Sequence, residues 1–373
     1  MNREKGLLRL GCGHMNFFNS LYPWQREWSI RQRIDQAIAD LKELGANAWR
    51  PWIHWGVVEP VIAQPLLRLS DITDERVEQY ARDETKGWSD YDHLVRACSA
   101  AGIDLHLVIG GGYYFALPLF EHATSGLKFL PSVVGREHYL AHLYLHVRAV
   151  VRRYRGRIKL WQLENELNGA GETKTFAHWR LGRHWWNWSF LTDIMETLHQ
   201  AVKTEDEQAL VSHNFVTDFR RIPGLTHWKL DIKRWMHLVD IVGVDSYPDY
   251  LLGYWTRGAA VARIAAAAKE ISSDKPVMIL EAGYPTAPSY RGFSEERQVR
   301  YLEAAIPACF EAGADGYYYY NLVSPEGQMR WFQGETLFEK IEPYWGLVRG
   351  DGTRKRGFET FQKLCGQIIT PPA

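Results

Sequence analysis

The feature of this sequence that most constrains its fold is a regular alternation of short apolar runs with segments of helical periodicity. Eight apolar runs occur, at 7–10, 47–53, 103–109, 158–163, 209–215, 240–247, 275–283 and 314–322. Short apolar runs separated by helices are typical of parallel strands that are buried on both faces. The alternation therefore predicts an α/β fold with eight strands.

Capping residues mark several of the intervening helices. Ser29 is placed to cap a helix over 30–44, and Gly45 follows as its stop. Ser89 and Ser294 are predicted to cap two later helices. The remaining apolar patterns with helical spacing predict helices near 136–154, 191–202, 232–238, 259–271 and 358–364.

Eight β/α units spread over 373 residues match a single (β/α)8 TIM barrel with long βα loops, and we expect one domain over 1–373. A doubly wound sheet usually carries a glycine-rich phosphate fingerprint. The glycines at 110–112 lack the GxGxxG spacing, so they predict a loop. The long stretches 56–88, 110–135 and 321–357 are predicted to be long βα loops, and an exo-acting enzyme would need such loops to close one end of its cleft.

Composition restricts the partners. Lys plus Arg equals Asp plus Glu at 44 each, so no excess charge favours nucleic acid or a membrane surface. The first segment predicts a strand rather than a secretory signal, and no apolar run is long enough to span a membrane, so we expect a cytoplasmic protein.

The four cysteines show no metal or disulfide spacing and predict reduced core residues. Sixteen tryptophans are compatible with a carbohydrate partner, and a homo-oligomer is left open.

Two carboxylates stand at the ends of apolar strands. Asn165 and Glu166 follow the fourth run, and Glu281 ends the seventh. In a TIM barrel the C-terminal strand ends form the active-site face, so these side chains are the first candidates for chemistry.

This arrangement resembles the clan A glycoside hydrolases, whose barrels carry Asn-Glu after strand four and Glu after strand seven. The resemblance implies a retaining β-glycosidase that needs no cofactor or metal, with Glu166 as acid/base and Glu281 as nucleophile. It also implies that Asn165 binds the sugar 2-hydroxyl, and that Arg50 and Tyr247 lie beside the nucleophile. The segment 344–361 looks like the closing stretch of such barrels.

Further positions are weaker candidates. Trp52, His54 and Trp55 follow Arg50 and either line the sugar site or pack in the wall. For His213 the alternatives are a sugar contact, which we favour, and a hydrogen-bonded wall histidine. Tyr320 stands where many clan members have a stacking tryptophan, and Glu164 is expected to point the same way as Glu166 in a supporting role.

The sequence leaves endo or exo action open, and three alternatives to this β-glycosidase remain. VDSYPDY and VMILEAGYPT are similar to strand ends of endo-acting galactanases and mannanases in the clan. A catalytically silent, carbohydrate-binding barrel would keep the tryptophan-rich cleft. A metal-dependent barrel hydrolase would need ligands such as His14, His54, His106 and His213, but the His-x-His pair expected after strand one is missing.

Overall fold

The computed structural model describes a closed barrel of eight parallel strands, with β1 to β8 in sequential order and β8 pairing with β1. It describes residues 8–13, 29–59, 65–110, 131–169, 187–217, 227–250, 252–255, 257–272, 274–324 and 341–369. The strands are β1 Arg9–Gly13, β2 Ala48–Arg50, β3 Asp104–Val108, β4 Leu160–Asn165, β5 Leu210–Val216, β6 Ile241–Asp245, β7 Val277–Ala282 and β8 Gly316–Tyr319. The predicted (β/α)8 architecture is confirmed.

Helices connect the strands in the described part of the chain. They are Ile30–Leu44, Trp55–Val58, Asp74–Arg82, Ser89–Ala101, Pro131–Val134, Arg136–Tyr154, Trp188–Glu205, Trp228–Trp235, Gly258–Ser272, Glu295–Glu311 and Arg356–Ile369. The helices Trp55–Val58 and Asp74–Arg82 lie within the connection after β2 that we predicted to be a long loop. Residues 111–130 and 325–340 of the other two predicted loops lie outside the described residues. The prediction of a single domain over 1–373 stays a prediction.

The first strand differs from its prediction because of a glycine. Leu7 lies outside the described residues, and β1 continues through Gly11 to Gly13 instead of ending at Leu10. A Cβ at Gly11 would lie 1.9 Å from the carbonyl oxygen of Ala48 on β2. The glycine thus allows two strand backbones to approach closely, and the apolar pattern alone does not reveal this.

Helix caps follow the prediction at two of three positions. Ser29 accepts from the backbone N–H of Gln32, whose side chain accepts from the N–H of Ser29 at 2.8 Å, which is a capping box. Ser294 likewise accepts from the N–H of Arg297. The prediction for Ser89 is wrong: Trp88 occupies the N-cap position, and the hydroxyl of Ser89 accepts from Arg31 instead.

The barrel interior consists of an apolar layer and a polar layer. The apolar residues inside the barrel are Ala48, Leu160, Ile241, Met278, Leu280 and Tyr318. His106 hydrogen-bonds the hydroxyl of Ser212 at 2.7 Å and that of Tyr318 at 3.3 Å, and burial lowers the pKa of His106 well below its usual value. This packed interior fixes the strand ends on which the candidate site stands.

All four cysteines are buried and form no disulfide, which confirms their predicted state. Within the described part of the chain, none of the helices has the length and apolar character that crossing a membrane requires.

Candidate active site

Three carboxylates converge at the C-terminal ends of β4, β6 and β7. Glu166, Asp245 and Glu281 each place a carboxylate oxygen within 4.8 Å of the others. Glu166 is partly exposed, while Glu281 keeps 7% of its surface and Asp245 only 1%. Glu166 and Glu281 were expected here from their strand ends, whereas Asp245 was not singled out by the sequence analysis.

Both oxygens of Glu281 accept a hydrogen bond. Arg50 donates to one oxygen over 2.9 Å, and the hydroxyl of Tyr247 donates to the other over 2.8 Å. Arg50 has no exposed surface, so its charge is poorly screened by water. A paired cation and a hydroxyl donor both favour the ionised form of a carboxylate.

Arg50 also holds β4 in place. Its Nε donates to Gln162 at 2.6 Å, and its Nη2 donates to Asn165 at 2.9 Å. The planar guanidinium thereby links β2, β4 and β7 through three hydrogen bonds, which a lysine could not reproduce. The structure brings Arg50, Asn165, Tyr247 and Glu281 together as the resemblance implied.

Glu166 has an unusual backbone conformation. Its φ is 48°, in the left-handed region, and the β4 pairing with β5 shifts register between Gln162 and Asn165. The N–H of Glu166 donates to the side-chain oxygen of Asn214 at 3.0 Å, which supports the turn. Strain of this kind is common where a side chain must be aimed at a functional site.

Asn214 is the central hydrogen-bonding residue of the site, and the sequence analysis missed it. Its side-chain oxygen accepts from Gln162 at 2.6 Å and from Glu166, while its amide nitrogen donates to Asn165 at 2.8 Å and to Asp245. All four hydrogen-bonding positions of the amide are thus used. The sequence did contain a clue to Asn214. Side chains alternate sides along a strand, so Asn214 and its neighbour His213 must face opposite sides of the sheet.

That alternation explains the position of His213. Ser212 and Asn214 face the barrel interior, so His213 faces outward, where its ring packs edge-on against Phe215 and Trp235. Its Nδ1 lies 2.9 Å from the carbonyl oxygen of Glu164, and burial lowers the pKa of His213 to about 3. The favoured expectation of a sugar contact is therefore corrected to a wall histidine.

The residues after Arg50 are also buried. Trp52 keeps 4% of its surface, and its ring lies 6.2 Å from that of His54, which has none exposed. Trp55 is fully buried, stacks on His146 and donates to Glu59 at 3.2 Å. These buried positions correspond to packing in the barrel wall, and Trp55 belongs to the main hydrophobic core.

Glu164 does not point with Glu166. The register shift in β4 breaks the regular alternation, and one carboxylate oxygen of Glu164 accepts from the N–H of Asn165 at 3.0 Å. A Cβ on Gly110 would lie 2.7 Å from the other oxygen. The expected shared orientation is wrong, and Gly110 allows the backbone after β3 to pass close to this carboxylate.

An aromatic wall flanks Glu281. The ring of Trp345 lies 5.2 Å from that of Tyr247, 5.4 Å from Tyr250 and 6.0 Å from Tyr320. Tyr320 is partly exposed, and the Tyr320–Asn321 peptide bond is cis. Tyr320 thus belongs to the aromatic wall beside Glu281, and its role as a stacking platform stays a prediction.

A further buried carboxylate, Glu342, lies behind this wall. It accepts from the hydroxyl groups of Tyr250 and, at 3.4 Å, Tyr320. Burial raises the pKa of Glu342 to about 7, and the negative charges of Glu281 and Glu166 add to this effect, while the two tyrosines oppose it. The sequence did not point to Glu342 because it lies in the short 3-10 helix Glu342–Tyr344 rather than at a strand end.

Three carboxylates this close could surround a cation. The fixed cation of the described site is the Arg50 guanidinium, which lies against Glu281. Of the histidines weighed as metal ligands, His14 lies outside the described residues. His106 and His213 are committed to contacts on opposite sides of the barrel wall.

Comparisons with known proteins reveal the fold. No family model and no curated protein matches the chain. Among solved structures, a GH5_18 variant from Streptomyces cattleya in complex with Manb1-4GlcNAc is 17% identical, with a TM-score of 0.66 over 98% of this chain and 82% of that one. A hyperthermophilic beta-glucosidase from Pyrococcus furiosus is 11% identical, with a TM-score of 0.66 over 98% and 96%.

The exo-beta-1,4-mannosidase Op5Man5 from Opitutaceae bacterium strain TAV5 is 15% identical, with a TM-score of 0.62 over 97% of this chain and 60% of the longer mannosidase. At such identities the likeness establishes a shared barrel fold, and the function has to be argued from the site.

Proposed function

We propose that this protein is a retaining β-glycosidase of the clan A type, with Glu166 as acid/base and Glu281 as nucleophile. The observation that carries the proposal is the approach of the two carboxylates, whose oxygens lie within 4.8 Å. Retaining glycosidases hold their carboxyl groups about 5–5.5 Å apart, whereas inverting enzymes need about 6.5–9.5 Å to admit a water molecule. The spacing therefore supports double displacement.

The environments of the two glutamates suit different roles. Glu281 accepts from Arg50 and Tyr247, so its ionised form is stabilised for attack on the anomeric carbon. Glu166 receives no hydrogen bond from Arg50, whose three nitrogen atoms donate to Gln162, Asn165 and Glu281. This difference favours Glu166 as the group that carries the proton at the start of the reaction.

The reaction then proceeds in two steps. An oxygen of Glu281 bonds to the anomeric carbon while the glycosidic bond breaks, and the proton of Glu166 passes to the departing oxygen. Water next attacks the anomeric carbon, Glu166 accepts its proton, and the ester bond to Glu281 breaks. We assign the binding of the sugar 2-hydroxyl to Asn165, which accepts hydrogen bonds from Arg50 and Asn214, and stacking on the sugar ring to Tyr320.

The substrate class that we propose is a short β-linked oligosaccharide or glycoside, with an endo-acting, galactanase- or mannanase-like β-glycanase as the alternative. Structures of a beta-glucosidase, an exo-beta-1,4-mannosidase and a complex with Manb1-4GlcNAc share the fold and guide the choice of substrates. β-Glucosides, β-mannosides and Manb1-4GlcNAc are therefore the first to test.

The test is hydrolysis of aryl β-glycosides and β-linked oligosaccharides by wild type, Glu166→Ala and Glu281→Ala, with and without azide. We expect both variants to lose turnover. Azide should rescue Glu281→Ala with an α-glycosyl azide product and Glu166→Ala with a β product. Glu303→Ala, which removes an exposed helical carboxylate, is the matched control.

Three outcomes would contradict the proposal in different ways. Unchanged activity of both variants would refute the site assignment. Sugar binding by wild type without turnover would favour a silent carbohydrate-binding barrel. Loss of activity on treatment with a chelator would favour metal-dependent hydrolysis.

A further inference from the structure

The proposed reaction uses two glutamates and gives no role to the carboxyl group of Asp245. Asp245 ends β6, keeps 1% of its surface exposed, and lies within 4.8 Å of both Glu166 and Glu281. A double displacement needs two carboxyl groups. A third one, buried between them, would be costly if it were merely a bystander.

The two oxygens of Asp245 have different surroundings. Oδ2 accepts from the amide nitrogen of Asn214. Oδ1 is buried and has no hydrogen-bond partner among the described residues. An ionised Asp245 would therefore carry a buried, unpaired oxygen on a negatively charged group that lies beside two other carboxylates, which is a strongly unfavourable arrangement.

A proton on Oδ1 removes this conflict. The neutral acid would still accept from Asn214 through Oδ2, and its O–H would be a hydrogen-bond donor on a carboxyl group that lies beside the two glutamates. Carboxylic acids that are kept neutral by their surroundings serve as donors in other enzyme sites. Burial raises the pKa of Asp245 well above its usual value, the negative charges of Glu281 and Glu166 add to this, and Arg50 and Asn214 only partly oppose them.

Resting on the proposed function, we propose that Asp245 is a positioning residue that works as an uncharged carboxylic acid, whose protonated carboxyl group lies beside both catalytic glutamates. Among the described residues, the site then contains one anion for one buried cation at each stage. In the free enzyme Glu281 is the anion beside Arg50. In the glycosyl-enzyme Glu281 is an ester and Glu166 is the anion, while Asp245 stays neutral. An ionised Asp245 would add an uncompensated charge at both stages.

The groups that face Asp245 come from several elements. Glu166 follows β4, Glu281 ends β7, Arg50 ends β2 and Asn214 lies on β5. Among these, Glu166 is the group that must hold a proton for the first step. A negative charge on Asp245 would make Glu166 hold that proton more tightly, and a neutral Asp245 would not. Substitution by asparagine separates these cases.

The kinetic test compares Asp245→Asn and Asp245→Ala with wild type over the full pH range. Asparagine is uncharged and can both accept from Asn214 and donate toward the glutamates. We expect Asp245→Asn to keep kcat/KM within about threefold of wild type with an unmoved alkaline limb, and Asp245→Ala to lose about 10- to 100-fold, the size of one or two hydrogen bonds to charged groups. Asp240→Asn is the control for folding effects, because it makes the same change at the opposite end of β6. Among the described residues, Asp240 bonds only Lys203 and the backbone of Val211.

The spectroscopic test does not depend on turnover. Infrared difference spectra of wild type minus Asp245→Asn near neutral pH should contain the carbonyl band of a protonated carboxylic acid. A shift of the alkaline limb to lower pH in Asp245→Asn, or a carboxylate band in its place, would show that Asp245 works as an anion and would overturn the inference. Equal activity of Asp245→Ala and wild type would also overturn it. Inactive wild type would count against the proposed function, while the infrared band would still decide the protonation state.

Discussion

Replacing Asn214 by alanine should damage the site more than any other single change to an uncharged residue. The substitution removes hydrogen bonds to Gln162, Asn165, Glu166 and Asp245. Gln162 keeps its bond to the carbonyl oxygen of Glu164, and Asn165 keeps its bond to Arg50. The N–H of Glu166 and Oδ2 of Asp245 lose theirs.

The magnitude follows from these two losses. Each buried polar group that loses its partner costs about 1–3 kcal/mol, so the free energy of unfolding should fall by roughly 2–6 kcal/mol, toward the lower end if water enters the space. Activity should suffer separately, because the turn that aims Glu166 loses its side-chain support. Displacement of a catalytic group by about 1 Å can lower the rate on the order of 100-fold.

The assay pairs chemical denaturation with kcat/KM on the best aryl glycoside. Asn47→Ala is the matched control, since Asn47 bonds the backbone of Leu10 at 3.0 Å and of Leu8 at 2.9 Å near the other end of the barrel. It should lose only about 1–2 kcal/mol of stability, because both of its hydrogen bonds are partly exposed and water can replace them, and it should keep its activity. If Asn214→Ala folded and kept wild-type kcat/KM, the role assigned to Asn214 would be refuted.

Three further predictions concern other parts of the structure. Because the pKa of Glu342 is raised to about 7, the folded state holds a proton that the unfolded state releases, so wild-type stability should fall as pH rises from about 4.5 to 7. Glu342→Gln should remove up to about 3 kcal/mol of this fall, measured by denaturation at pH 5 and 8; identical pH dependence would contradict it. Arg50→Lys keeps the charge but not the three hydrogen bonds, so kcat should drop by about 100-fold or more in a folded protein, and near-normal kcat would contradict the assigned geometry. Gly11→Ala should cost about 3 kcal/mol or more because its Cβ meets the Ala48 carbonyl, whereas Gly366→Ala, in an open helical position, should be neutral or stabilising in the same thermal melts.

The sequence predicted the barrel because its signals are local. Apolar runs and helical spacing depend only on which faces are buried, and Ser29 and Ser294 cap their helices with their own side chains. The predicted first strand ended too early because Gly11 is needed for a close contact with Ala48, a residue that is distant in sequence. Such packing requirements become visible only once the strands are paired.

The sequence predicted those site residues that lie at the ends of strands. Glu166, Glu281, Arg50, Asn165 and Tyr247 meet because parallel strands end on one face of the barrel. The direction of side chains within a strand was harder to predict.

Two features of the strands account for the residues whose orientation was predicted wrongly: the alternation of side chains along β5 and the register shift in β4. His213 faces outward, and a register shift turns Glu164 away from Glu166. Asn214 and Asp245 were missed because neither belongs to the motif of the two glutamates. Glu342 was missed because its position depends on how a loop folds over Tyr250 and Tyr320.

The central claim is a covalent intermediate on Glu281, and trapping tests it most directly. Wild type is incubated with an activated 2-deoxy-2-fluoro-β-glycoside of the preferred sugar, and its intact mass and peptide map are measured. The account predicts a mass increase of one fluoroglycosyl group, located on the peptide that contains Glu281 and absent in Glu281→Ala. Hydrolysis with inversion and no adduct, or an adduct on another residue, would contradict it.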